Sequence, residues 1–195
     1  MSTDIKKQKG RFLIQISKYF RSYILLSLVG FLSGRAIILD ELMPFSIAFF
    51  YFNYSRDKKG KIFAGAAVVG TLSNGGMRHV IAIAVLILLE EVVFKKKEAN
   101  LFKRGLIAAA TTFMVGVIYM YFKSFYLYDL MIIAFESIVV FVYMYILSYS
   151  LPILTKNSNR RLLSNEEIIC LAILAGVSIL GIDKIWADGQ LVVDS

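Results

Sequence analysis

Along the chain, long apolar stretches alternate with short polar connectors. Seven apolar runs stand out: Tyr23–Leu39, Leu42–Tyr54, Ile62–Asn74, Val80–Phe94, Gly105–Phe122, Phe125–Leu154 and Glu167–Ile182. A helix rises about 1.5 Å per residue, so a hydrocarbon core of about 30 Å takes roughly 20 residues to cross. The fifth and sixth runs suit a span. The second is too short for one and reads as either a short tilted span or a re-entrant piece. The third is rich in Gly and Ala and reads as a helix packed inside a bundle, borrowing length from Asn74–Met77. Lipid offers no hydrogen-bond partners, so spanning backbone satisfies itself within helices. The pattern therefore predicts an all-α fold: a polytopic integral membrane helical bundle of about 6–7 transmembrane segments.

Local signals add boundaries. Asp40 and Glu41 end the first run, Asp40 is placed to cap the next helix, and Pro44 falls in that helix's first turn, where its missing N–H is harmless. Residues 1–21 form a basic tail in which Phe12, Ile16, Tyr19 and Phe20 recur at helical spacing, with Arg11, Lys18 and Arg21 mostly opposite. Such a segment is either an amphipathic helix on an anionic membrane surface or an unstructured basic tail. No small-x-small cleavage site precedes a polar mature region, so the first run reads as an uncleaved helix. The expected organisation is a tail over 1–21 and a transmembrane helical domain over 22–182. Residues 183–195 are then a short extracytoplasmic end or the start of a continuation.

Charge orients the bundle. Of the 22 Lys and Arg residues, all but Arg35, Arg78, Lys123 and Lys184 lie in the tail and in every second connector: Arg56–Lys61, Lys95–Arg104 and Lys156–Arg161. Cytoplasmic loops collect Lys and Arg, which puts these blocks and the N-terminus inside. The net charge of +8 raises the question of nucleic acid, but a DNA-binding domain gathers its cations on one solvated face, whereas here they are split among connectors. With 58% hydrophobic and 18% charged residues and mean hydropathy +0.68, the chain is more apolar than a soluble domain. Cys170 is the only cysteine, which excludes an internal disulfide framework.

Helices in lipid gain most from close backbone contact. Small-xxx-small pairs occur at Gly30/Gly34, Ala66/Gly70, Thr112/Gly116 and Ala172/Gly176 and are expected at helix packing contacts. Intramembrane charge is a functional hypothesis by default. Arg35, Asp40, Glu41 and Glu136 are the candidate polar contacts. Glu136, deep in the sixth run, is expected to be neutral, to face water or to pair across the bundle with Arg35 or Arg78. Glu90 and Glu91, beside Lys95–Lys97, read as solvated ends. His79 has no Cys or carboxylate at metal-ligand spacing and reads as a polar residue at a helix start. No phosphate-binding glycine loop or nucleophile–base array is visible. No catalytic residue, metal site or cofactor is expected.

The segment Gly30-Phe31-Leu32-Ser33-Gly34-Arg35-Ala36, continuing through Asp40-Glu41-Leu42-Met43-Pro44-Phe45 to Phe50, resembles the membrane region of the stage II sporulation protein E family. The likeness lies in Gly34-Arg35-Ala36 closing the first span and Pro44-Phe45 opening the second. A basic loop, Arg56-Asp57-Lys58-Lys59, and a Gly/Ala-rich third span follow. The resemblance implies about ten N-terminal spans, a cytoplasmic linker and a C-terminal metal-dependent phosphatase of the PP2C type. It also implies a place at the asymmetric division septum, association with the tubulin-like division protein and release of a forespore sigma factor. No Asp-Gly-Met-Gly motif occurs here: Asp188-Gly189-Gln190 is an isolated pair, and Asn74-Gly75-Gly76-Met77 lacks the carboxylate. The phosphatase acids cannot be carried over, and the chain reads as a truncated or split membrane module.

The expected function is membrane anchoring and localisation at the sporulation septum, with the lipid bilayer, and a second copy of the chain, as partners. The competing reading is a small substrate-binding membrane subunit of a vitamin-type transporter, for which Glu136, Asp40, Glu41, Asn74 and Arg78 are the only polar candidates.

Overall fold

The computed structural model describes residues 23–39, 41–56, 59–94, 100–123, 126–155 and 163–191. Among these it is all-helical: α1 (Tyr23–Arg35), α2 (Pro44–Tyr54), α3 (Gly60–Ser73), α4 (Met77–Leu89), α5 (Leu101–Lys123), α6 (Leu127–Thr155) and α7 (Asn165–Leu191). A π-helical turn, Glu90–Phe94, extends α4. The tail over 1–21 lies outside the described residues. The only β pairing among the described residues is an isolated bridge in which Ile38 and Leu42 exchange both backbone hydrogen bonds at 2.9 Å. Its tight loop holds Leu39 at φ 51°, the left-handed region that side-chain-bearing residues seldom adopt.

Among the described residues three helices are long and apolar enough to cross a membrane: Leu101–Phe122, Leu127–Leu154 and Asn165–Asp183. That is fewer than the 6–7 spans expected from hydropathy. The shortfall has a local cause, because α1 stops at Arg35, before the tight loop, and α2 restarts only at Pro44. With 11 and 14 residues, α2 and α3 reach only about 16 and 21 Å. In the other direction, α7 runs past the expected boundary at Ile182 to Leu191. A capping box starts it: Ser164 Oγ accepts the Glu167 N–H at 3.2 Å, and the Glu167 carboxylate accepts the Ser164 N–H at 3.0 Å.

The shortest α-helix forms the core. Every residue of α2 from Pro44 to Tyr51 is buried, and Ile47, Ala48, Phe49 and Tyr51 are fully enclosed. It packs on α3, α4, α5 and α6, with Phe45 set edge-on to Tyr143 of α6 at 4.8 Å between ring centroids. A helix apolar all round is a buried helix, which explains why the second run is uniformly greasy although too short to span. Its start differs from expectation. The N-cap is Met43, whose side chain makes no capping bond, while Pro44 does occupy the first turn; Asp40, the expected cap, lies outside the described residues.

Glycine lets α1 and α3 touch backbone to backbone. A Cβ added to Gly34 would stand 3.0 Å from the Gly70 Cα and collide with the Ala67 carbonyl. Gly30 on the same face abuts Phe49 and the Phe63 carbonyl, whereas Ala66 is only partly buried and Ala67 makes the close approach. Gly116 of α5 meets Ile133 of α6, with Thr112 buried a turn away and bonded to the Ala108 carbonyl. Ala172 and Gly176 are exposed, with nothing within 4 Å of a Cβ at Gly176. The close contact of α7 is made instead by Gly181 against the Leu32 carbonyl of α1.

Candidate functional site

The N-terminal end of α2 meets the start of α4 and the first third of α6 at a cluster of buried polar groups. Arg78 and His79 stand in the first turn of α4, after the Gly75–Gly76 turn, and Glu136 projects from α6. The Arg78 Nη2 donates to Glu136 Oε2 at 2.7 Å, with the two side chains 14% and 1% exposed. His79 Nε2 lies 2.7 Å from Glu136 Oε1, and the Met43 backbone N–H points at the same oxygen from 3.1 Å. Two further distances, 3.2 Å from Met43 N and 3.1 Å from Arg78 Nη2 to His79 Nε2, close the group.

The proton positions follow from the donor inventory. A 2.7 Å contact between His79 Nε2 and Glu136 Oε1 needs one proton between them. Placed on Nε2, it lets Oε1 accept from His79 and Met43 while Oε2 accepts from Arg78, so three donors converge on one carboxylate. Placed on Glu136, it would bury the Arg78 charge beside a neutral acid. The first arrangement satisfies more groups and leaves His79 Nδ1, buried without a hydrogen-bond partner, as the remaining atom. The carboxylate also sits at the positive end of the α2 dipole, which stabilises it further.

Of the two cations weighed for Glu136, Arg78 is the one in contact. Arg35 is buried at the end of α1, where its Nη1 donates to Ser73 Oγ and its carbonyl accepts from Asn74 Nδ2, both at 2.7 Å. It ties α1 to the end of α3. Glu41 is exposed in the loop, and Asp40 lies outside the described residues. His79 and the Met43 amide were not legible as members of this site, because a histidine beside an arginine gives no hint of a carboxylate 57 residues further on. Among the described residues no group of three or more His, Cys, Asp or Glu is arranged to hold a metal.

A second polar cluster closes the other end of α2. Tyr51 donates to Glu90 Oε2 at 2.9 Å, and Glu90 as a residue is 9% exposed. Glu90 is therefore buried rather than the solvated helix end expected of it, while Glu91 is exposed. Tyr54 donates to Glu91 at 2.9 Å, and Lys61 pairs with Glu91 at 3.4 Å. Hydrogen bonding to the Tyr54 hydroxyl holds the Lys61 ammonium above its usual range. Arg104, in the first turn of α5, donates to Ser55 Oγ at 3.1 Å.

The family described as "SpoIIE, N-terminal domain" matches residues 1–190. Stage II sporulation protein E of Bacillus subtilis (strain 168) is 30% identical over 184 residues, which covers 89% of this chain but only 22% of that protein. The chain thus spans about a fifth of the length of the curated relative it matches. No solved structure matches. The chain belongs to the SpoIIE N-terminal domain family.

Proposed function

We propose that this chain is an integral, multi-pass membrane module that anchors and localises a sporulation protein at the sporulation septum. The observation that carries the reading is the family match across residues 1–190, on a chain whose described residues include three helices long and apolar enough to cross a bilayer. The mechanism is confinement: restricting a protein to one membrane zone raises its effective concentration towards whatever it carries or recruits. The Tyr51 end of the bundle, with Arg56, Lys59, Lys61, Lys103 and Arg104, faces the cytoplasm, and the His79 end faces outward. The cytoplasmic end is the surface that meets the tubulin-like division protein, and the same module associates with further copies of itself.

The test is imaging of a fluorescent fusion of the chain in sporulating cells. Enrichment at the polar septum is the expected result; uniform membrane fluorescence at the time of polar division overturns the septal role. Labelling from outside the cell that modifies Lys59 or Lys61 overturns the orientation.

A further inference from the structure

The outward face of α6 is marked at both ends by a tyrosine. Tyr128, near the start of the helix, is 70% exposed, and Tyr149, near its end, is 51% exposed. They stand 21 residues apart, about 32 Å along the helix. Between them the exposed residues are Met131, Phe135, Ile138 and Val142, all apolar. Glu136 and Ser137, in the same stretch, are buried instead, and Ser137 donates to the Ile133 carbonyl of its own helix at 2.9 Å.

The neighbouring helices repeat the pattern. Gly105 lies against Phe141 and Gly116 against Ile133, so α5 runs antiparallel to α6. This puts the exposed Tyr119 at the Tyr128 end and the exposed Lys103 at the Tyr149 end. The exposed positions between those two hold Leu, Ala, Phe, Met and Ile over 16 residues, about 24 Å. On α7 the exposed acids Glu166 and Asp183 bracket exposed Ile, Leu, Ala and Gly over 17 residues, about 26 Å.

Three outward faces thus change from apolar to polar at both ends, over lengths close to a hydrocarbon core of about 30 Å. A protein partner would cover a patch on one or two helices and would not impose a common length on all three. Tyrosine suits the edge of such a band, because its ring is apolar and its hydroxyl seeks water. Lys103 suits it as well, since its apolar stem carries the ammonium outward. We propose that the outward faces of α5, α6 and α7 between these polar marks take up the acyl chains of the bilayer, with Tyr128 and Tyr149 seated among the lipid headgroups of opposite leaflets. The proposal rests on the membrane reading above and adds which faces meet lipid and which residues mark the two edges.

Trp186 is the only tryptophan of the chain, so a single reporter can be moved along α6 in the full chain carrying Trp186→Phe. The three variants are Tyr128→Trp, Ile138→Trp and Tyr149→Trp, with Ile138 midway between the tyrosines. Each is reconstituted in vesicles of phosphatidylcholine brominated either near the carbonyl or near the chain end, and tryptophan quenching is read. Ile138→Trp is expected to be quenched more by chain-end bromine and to emit further to the blue. Tyr128→Trp and Tyr149→Trp are expected to be quenched more by bromine near the carbonyl.

Val142→Trp takes the place of Ile138→Trp if that variant loses its helical circular dichroism. The same preferred quencher at all three positions overturns the two edges. An unquenched Ile138→Trp in protein that floats with the vesicles overturns lipid as the occupant, in favour of cover by protein. A chain that stays monodisperse without detergent and does not float with vesicles refutes the membrane reading itself, and no quenching pattern imitates that.

Discussion

Glu136 of α6 caps a helix to which it does not belong: its Oε1 lies 3.1 Å from the backbone N–H of Met43, the residue that opens α2. The usual cap is a Ser, Thr, Asp or Asn side chain at the N-cap itself. Met43 cannot serve, and a buried carboxylate from elsewhere in the bundle takes the place. The bond therefore fixes where the core helix begins and holds it against α4 and α6 at once.

Breaking this cluster from one side should be costly. Glu136→Ala leaves the Arg78 charge and the Met43 amide without their acceptor, and loss of one partner from a buried pair costs about 3–5 kcal/mol. Thermal or denaturant unfolding of the detergent-solubilised protein should show that loss. The double variant Arg78→Met/Glu136→Leu, which removes both charges, should recover a large part of it. If the double variant is as unstable as the single one, the charge pair is not what holds α2.

The proton assignment at His79 predicts a difference between two substitutions. His79→Gln keeps an N–H donor near the Nε2 position and should remain close to the parent in unfolding midpoint. His79→Leu removes the donor and should cost about 1–3 kcal/mol, the penalty for a buried group left unsatisfied. Equal stability of the two variants would mean that the Nε2 proton contributes nothing.

At the opposite end of α2, Tyr51→Phe deletes the hydroxyl that donates to Glu90. The buried carboxylate loses a hydrogen bond, and a loss of about 1–3 kcal/mol is expected. Tyr54→Phe, whose partner Glu91 is exposed and also pairs with Lys61, should change stability by less than that. The two unfolding midpoints compared side by side make the check.

The glycines should separate into two classes under the same substitution. Gly34→Ala places a methyl against the Gly70 Cα and the Ala67 carbonyl, and backbone cannot step aside as a side chain can. It should destabilise by about 1–3 kcal/mol. Gly176→Ala meets nothing within 4 Å and should be neutral or stabilising by about 0.5–1 kcal/mol, because Ala costs less chain entropy in a helix.

Each of the seven apolar runs holds a helix among the described residues, because a continuous greasy stretch read at helical period carries its own evidence. Helix lengths were less legible. Hydropathy counts Ile38 and Leu39 as part of the first run, yet backbone pairing between Ile38 and Leu42 turns them into a loop. The small-xxx-small spacing marks contacts at Gly30/Gly34 and near Gly70, but on α7 it marks an exposed face, while Gly181 makes the contact. Spacing records which residues share a helix face and says nothing of which face another helix covers.

Composition and hydrophobic period determined by themselves that this chain is helical and more apolar than a soluble domain. These are properties of local sequence, and burial of apolar surface acts on them one segment at a time. Only the tertiary structure decided that the shortest described α-helix, α2, would become the core and that Arg78, His79 and Glu136 would meet at its start. Those groups lie 57 and 58 residues apart along the chain. A buried carboxylate must find donors wherever packing brings them, and the packing of whole helices chooses the partner.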